Sequence, residues 1–141
     1  MTLHIKKLHP GAVLPKYGRE GDAGLDLSAT ENVIIPPSER RTIATGIAIA
    51  IPPGFAGLIW DRSGLAAKQG IKSMGGVIDA NYRGEIKVLL HNLSNMPFTV
   101  EKGMRIAQLL IQPVEKKKII EVEELDETER AEQGFGSTGT R

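Results

Sequence analysis

The segment GVIDANYRGE, Gly76–Glu85, places an acid, an aromatic ring and a basic residue within a few positions of one another. Val77-Ile78 has the β-branched side chains typical of strands, and Ala80-Asn81 supplies turn chemistry, so the segment predicts a tight β-hairpin. A turn by itself requires no carboxylate at the end of an apolar strand. Asp79 beside Tyr82 therefore predicts a small pocket with a carboxylate at its floor and a ring at its wall.

Short apolar runs on both sides of this segment favour β-structure. Ile47, Ile49 and Ile51 alternate with other residues and stop at Pro52-Pro53-Gly54. Further strands are predicted at residues 55–60, 86–90, 106–111 and 119–122. Sixteen glycines and eight prolines cut these runs into short pieces, which is typical of a sandwich or barrel.

Composition excludes several classes of function. The 141 residues suit one domain, and the absence of cysteine rules out disulfides and a thiolate nucleophile. Lys and Arg total 18 against 17 for Asp and Glu, so the chain offers no strong field for a nucleic acid polymer. No apolar run is long enough for a signal peptide or a membrane span, so we expect a soluble, cytoplasmic protein with no membrane partner.

One short helix is predicted at Ser63–Lys68, with Ser63 as its N-cap and Gly70 at its end. Its first residues follow Arg62, and a helix start with unpaired amides suits a phosphate group. Arg62 and the Ser63 hydroxyl would add to that site. An ordinary cap with a surface arginine explains the same residues equally well.

Two polar residues interrupt predicted strands. Asp26 lies between two leucines, either as a turn acid bonded to backbone amides or as a group that holds water around Mg²⁺. Gln108 interrupts an apolar strand, either as a buried amide bonded to a neighbouring strand or as a donor to phosphate. For each residue taken alone, the first interpretation is the commoner one.

The C-terminal residues 130–141 are interpreted as an arm, distinct from a β-domain at 1–129. They combine Arg130 and Phe135 with small hydroxyls and glycines, which suits an arm that stacks on a base and wraps phosphates. A disordered terminus is the alternative, although such tails rarely keep an aromatic residue. From residue chemistry alone we infer a β-domain that binds a phosphorylated, base-bearing small molecule, with Asp79 as its leading candidate base.

Five segments in order resemble the motifs of the trimeric dUTP diphosphatases: AGLDL (23–27), RSGLA (62–66), GVIDANYRGE (76–85), GMRIAQL (103–109) and RAEQGFGSTG (130–139). The resemblance implies an all-β, jelly-roll-like sandwich or distorted barrel (a β-clip) with one short helix. It also implies a homotrimer with active sites at subunit interfaces. The expected reaction is hydrolysis of dUTP to dUMP and pyrophosphate, with Mg²⁺ on the triphosphate.

The same resemblance assigns roles around the base and sugar. Asp79 would orient and deprotonate the water that attacks the α-phosphorus. Tyr82 would pack under the deoxyribose and leave no room for a 2′-hydroxyl. Backbone groups of Gly76, Val77 and Ile78 would read the edge of uracil.

The remaining roles implied by the resemblance concern the triphosphate and the metal. Phosphate contacts are assigned to Arg62, Ser63, Gly64 and Gln108 and, at the γ-phosphate end, to Arg130, Gly136, Ser137 and Thr138. Asp26 would hold water around Mg²⁺, and Phe135 would stack on uracil. Lys87 occupies a position that contacts substrate in related enzymes.

Some positions depart from the common pattern of that family. Asp61 stands where a proline is usual, and this acid could redirect the guanidinium of Arg62. Asn81 replaces a more frequent aspartate, Leu25 replaces an aromatic residue, and Ser73 lies near a position that is asparagine in some bacterial relatives. Three rival interpretations are a dCTP deaminase, a nucleotide-binding module without catalysis and a structural capsid-like sandwich.

Overall fold

Ten β-strands and one short helix form the fold in a computed structural model that describes all of residues 1–141. The elements are β1 (His4–Lys7), β2 (Leu25–Ser28), β3 (Val33–Ile35), β4 (Arg40–Ala50), β5 (Phe55–Trp60), α1 (Ser63–Gln69), β6 (Ile71–Met74), β7 (Val77–Ile78), β8 (Glu85–Asn92), β9 (Phe98–Val100) and β10 (Arg105–Pro113). The helix is seven residues long, too short to cross a membrane.

The strands form two four-stranded sheets and one two-stranded sheet. The orders are β1-β4-β8-β6, β2-β10-β5-β7 and β3-β9, and every pairing is antiparallel. Buried residues from all three sheets join one core cluster of 19 residues. The predicted all-β sandwich with one helix is therefore confirmed, and no sheet closes into a barrel.

The alternation read from the sequence explains which strand faces form the core. Ile86, Val88 and Leu90 of β8 are almost fully buried, and so is Ile43 of β4, which pairs with Val88. Burying one such side chain contributes roughly 1.5–3 kcal/mol. Register is thereby fixed, because a slip by one residue would turn these side chains toward solvent.

The predicted hairpin at Gly76–Glu85 is wrong, although its turn is present. The Tyr82 amide donates to the Asp79 carbonyl at 3.1 Å, as expected of a turn. However, β7 pairs with β5, whereas β8 pairs with β4 and β6 of the other sheet. The chain changes sheets here because the apolar side of β8 is buried against β4 in the shared core.

Two further local predictions differ from the structure. No strand forms at residues 119–122, where Ile119 is 88% exposed and no neighbouring strand supplies hydrogen bonds. The N-cap of α1 is Arg62 rather than Ser63, and no side chain caps the helix. The predicted end is confirmed, since Gly70 adopts a left-handed conformation (φ 65°).

Candidate active site

A polar cavity of about 730 Å³ lies where the end of β5 and the start of α1 meet β2 and β10. Five residues expected to act on phosphate or metal line it: Asp26, Arg62, Ser63, Gly64 and Gln108. The neighbouring strands explain this convergence, because Gln108 of β10 pairs with Asp26 on one side and with Trp60 on the other. A Cβ placed on Gly64 would meet no atom within 4 Å, so this part of the backbone faces open space.

Ion pairs connect two of the three arginines of this cavity, Arg62 and Arg105, to Asp26. Arg62 Nε lies 3.8 Å from Asp26 Oδ1, and Arg105 Nη1 lies 3.4 Å from Oδ2. Arg62 Nη1 also donates to the Arg105 carbonyl at 3.2 Å. Two guanidinium groups against one carboxylate leave local positive charge, which suits an anion.

The sequence motifs assign no role to Arg105, although it lies inside the segment GMRIAQL. Strand alternation could not place it, because β10 carries a register shift between Arg105 and Ala107. The bulge leaves Ile106 and Ala107 both buried, whereas strict alternation predicts opposite faces. Arg19, Asp22 and Lys68 also line the cavity and had no predicted role.

Gln108 is bonded to main chain at the edge of the cavity. Its Nε2 donates to the Asp61 carbonyl at 2.8 Å, just beyond the end of β5. On its other side the amide packs against Gly24, where an added Cβ would lie 2.5 Å from Gln108 Oε1. Gln108 is thus half-buried and bonded to the backbone just after a neighbouring strand, rather than to the strand itself. A side-chain amide carries a second N–H, which is still free to donate to a ligand.

A second, smaller cavity of about 230 Å³ contains most of the residues expected around the base and sugar, whereas Gly76 lines a neighbouring cavity. This second cavity is lined by Val77, Ile78, Asp79, Tyr82, Glu85 and Lys87. The Asp79 carboxylate is exposed and forms no hydrogen bond or ion pair within the chain. It is therefore free to accept a proton or a hydrogen bond from a ligand.

Tyr82 has a fixed orientation in the turn. Its hydroxyl donates to the Glu85 carbonyl at 2.8 Å. The ring lies against Gly84, because an added Cβ there would be 2.4 Å from the hydroxyl oxygen and 2.6 Å from Cζ. Arg83, in contrast, turns away from Asp79 and donates to the carbonyls of Ala80 and Tyr82 at 2.7 and 3.0 Å.

Gly76 brings the strand before the turn close to β5. Its carbonyl accepts a hydrogen bond from the Ile59 amide at 2.8 Å, and its φ is 100°. An added Cβ would lie 3.0 Å from the Cβ of Ile59, so the close approach requires glycine. One lone pair of the Gly76 carbonyl is thus already used within the chain.

The residues of the C-terminal arm line neither of these two cavities. Arg130 Nε donates to the Gln133 carbonyl at 2.7 Å, and the Phe135 side chain is fully exposed. The expected arm residues Gly136, Ser137 and Thr138 lie in successive turns of the same segment. In one chain the predicted site is therefore divided into three separate groups.

The donor set of the first cavity fits a hydrated divalent cation. No three His, Asp or Glu residues converge anywhere in the structure, but Asp22 and Asp26 both line this cavity. Mg²⁺ commonly binds through one or two carboxylates together with substrate phosphates, and it keeps several waters. The carboxylate of Asp26 fits that mode when a phosphate of the ligand pairs with Arg62 and Arg105 in its place.

An antiparallel β-sandwich with one arginine-lined cavity and one cavity that holds a free carboxylate suits a class of protein that binds phosphorylated small molecules. A profile of the dUTPase family matches residues 11–139. The chain is 54% identical over 142 residues to the deoxyuridine 5′-triphosphate nucleotidohydrolase of Clostridium kluyveri, with 99% of each chain covered. It is 53% identical over 141 residues to the Nautilia profundicola enzyme of the same name, again with 99% of each covered.

Solved structures agree with these sequence similarities. A point variant of the Staphylococcus bacteriophage 80alpha dUTPase with dUpNHpp is 32% identical, with a TM-score of 0.94 and 99% of each chain covered. A variant from S. aureus phage phi11, described with a structural Mg(II) ion, is 27% identical, with a TM-score of 0.83. That match covers 88% of this chain and 98% of the phage chain. The chain belongs to the dUTPase family, which confirms the resemblance seen in its motifs.

Proposed function

We propose that Asp79 is the general base in the hydrolysis of dUTP to dUMP and pyrophosphate, the reaction that this chain catalyses as a member of the dUTPase family. The observation that supports this role is the unpaired Asp79 carboxylate, exposed beside Tyr82 in the smaller cavity. A carboxylate with no internal partner can hold a water molecule and accept its proton as the water attacks the α-phosphorus. A positioned base typically contributes about 10²–10⁴ in rate.

The arginine-lined cavity is proposed as the triphosphate site. Arg62, the Ser63 hydroxyl, the Gly64 amide and the free N–H of Gln108 all line it. These groups would hold the chain of phosphates and stabilise the charge that develops on the leaving pyrophosphate. Mg²⁺ bound to the triphosphate would neutralise part of that charge, with Asp26 holding its waters.

The smaller cavity is proposed as the site of uracil and deoxyribose. Tyr82 is fixed by its bonds to the turn, so it can pack under the sugar and leave no space for a 2′-hydroxyl. Backbone groups of Gly76, Val77 and Ile78 would read the uracil edge. Lys87 lines the same cavity and supplies a cation near the substrate.

The division of the site supports a homotrimer as a proposal. No residue lines both the arginine cavity and the Asp79 cavity, and the arm lies outside both. Exposed apolar side chains are also frequent after the last strand, including Ile119, Leu125 and Phe135. Association would bury such surface and bring the three groups together from different copies. The arm at 130–141 is proposed to close over bound nucleotide.

The reaction and its specificity are tested together by pyrophosphate release. We expect dUTP to be cleaved with Mg²⁺, and dTTP, dCTP and UTP to be cleaved far more slowly. A chelator should suppress the reaction with dUTP. Ammonia release from dCTP would instead indicate a deaminase, and no cleavage of any nucleotide would leave only a binding module.

Gly84→Ala is expected to weaken the selection against ribose. The new methyl group would occupy the space of the Tyr82 ring, since its Cβ would lie 2.6 Å from Cζ. A displaced ring no longer closes the space beside C2′. We expect the ratio of kcat/KM for dUTP over UTP to fall by about tenfold, a loss typical of a misplaced steric wall.

The control substitution must not strain the backbone or touch the proposed site. Gly21→Ala would strain the backbone, because Gly21 has a φ of 89°, and Gly64 belongs to the proposed phosphate site. Ala80→Gly in the same turn is the better control, and an unchanged ratio in Gly84→Ala would contradict the role of Tyr82.

A further inference from the structure

Asp61 occupies the junction between β5 and α1, directly before Arg62. Its carboxylate does not bind Arg62, although adjacency allowed that possibility. Instead, Oδ2 accepts from Lys72 Nζ at 2.7 Å and Oδ1 accepts from the Ser73 amide at 2.5 Å. Arg62 pairs with Asp26 across the cavity.

Both partners of this carboxylate lie on β6, the strand that follows the helix in the chain. Asp61 precedes α1, whereas Lys72 and Ser73 follow it, so the carboxylate closes the loop that contains the helix. The backbone carbonyl of Asp61 accepts in turn from Gln108 on β10. One residue thus connects the start of the helix to two different strands.

The hydrogen bonds of the Asp61 carboxylate are partly buried as well as charged. The side chain of Asp61 is 20% exposed, and the Ser73 residue is buried. Burial raises the pKa of the Asp61 carboxyl, but the hydrogen bonds from Lys72 and Ser73 outweigh it, so the pKa lies below its usual value. A charge-assisted bond to a backbone amide in a partly dry position holds that backbone more firmly than an exposed ion pair does.

We propose that Asp61 is a positioning residue for triphosphate binding: the bonds of its carboxylate to β6 fix the adjacent Arg62 at the phosphate cavity. The inference rests on the proposed function of the arginine cavity as the phosphate site. Asp61 itself does not line that cavity, whereas Arg62, Ser63, Gly64 and Gln108 do. Its effect on the triphosphate therefore passes through its neighbour Arg62. A proline, expected at this position from the family pattern, would restrict the backbone without a carboxylate to bond β6.

The test compares Asp61→Ala with Asp61→Asn in binding to dUMP and to the non-hydrolysable triphosphate dUpNHpp. Without the carboxylate, the helix start is free to shift, and the triphosphate should bind about tenfold more weakly, the equivalent of one charge-assisted hydrogen bond. Binding of dUMP, which depends on the Asp79 cavity, should change by less than about twofold. Asp61→Asn retains an acceptor for the Ser73 amide and should recover part of the loss.

A second comparison separates positioning from general destabilisation. Because Asp61 acts through Arg62, its replacement should matter much less in an Arg62→Ala background. Glu39→Gln removes another carboxylate, which pairs with Arg41 at 2.9 Å and lines neither cavity, and this variant should bind both nucleotides normally. Equal weakening of dUMP and dUpNHpp, or a tenfold loss that persists without Arg62, would overturn the proposal.

Failure of this inference is distinguishable from failure of the proposed phosphate site. If Arg62→Ala binds dUpNHpp as tightly as the unmodified chain, the phosphate site itself is wrong. If Arg62→Ala weakens binding but Asp61→Ala does not, only the positioning role is wrong. Should Asp61→Ala not fold, Asp61→Asn and Lys72→Met give the same comparison, and normal triphosphate binding in both would overturn the proposal.

Discussion

Asp79→Asn should lower kcat for dUTP hydrolysis by roughly 10²–10⁴-fold while leaving nucleotide affinity almost unchanged. Asparagine has nearly the shape of aspartate, but its amide cannot accept the proton of the attacking water. The Asp79 side chain is exposed and has no partner within the chain, so its replacement disturbs no structural contact. The cost should therefore appear in the chemical step and not in stability.

Single-turnover rates, the Kd for dUpNHpp and the thermal midpoint together check this expectation. Asp126→Asn makes the same chemical change at an exposed aspartate outside both cavities, and it should keep its normal kcat. Near-normal turnover in Asp79→Asn would refute the assignment of the base. A parallel loss of kcat and affinity would instead make Asp79 a binding group for the sugar.

The sequence predicts local structure well where one strand face or one turn decides it. The alternation in β4 and β8 identifies their buried faces, and Gly70 identifies the end of α1. Prediction from the sequence fails where the structure depends on pairing between distant segments of the chain. Nothing near Gly76–Glu85 specifies that β8 joins the other sheet, since that depends on burial against β4.

The candidate site follows the same division. Motif order identifies the residue types, and the structure brings Asp26, Arg62 and Gln108 into one cavity as expected. The partner of Arg62 could not be predicted, because the adjacent acid Asp61 bonds to β6 while a distant acid on β2 faces the guanidinium. Ion pairing depends on side-chain direction, which chain proximity does not determine.

The C-terminal arm gives the second large effect: removal of residues 134–141 should reduce dUTP hydrolysis by roughly 10³-fold, through loss of base stacking and of contacts to the γ-phosphate. The fold should remain intact, because the last backbone hydrogen bond to the β-domain is the one that the Val114 amide donates to the Gly54 carbonyl at 2.9 Å. All later backbone hydrogen bonds join residues within 128–139. Thermal midpoint and oligomer mass should therefore match those of the full chain. Phe135→Ala isolates the stacking contribution, and Phe135→Tyr should retain it.

Subunit mixing tests whether this arm acts on the site of another copy. The truncated chain keeps Asp79, and the Asp79→Asn chain keeps its arm, so each is nearly inactive alone. If carboxylate and arm come from different copies, random mixed assemblies should combine both in about a quarter of their sites, and activity should return to that extent. If each arm closes over the Asp79 of its own chain, mixing restores nothing. The division of the site into separate groups in one chain favours the first result, since neither cavity contains an arm residue.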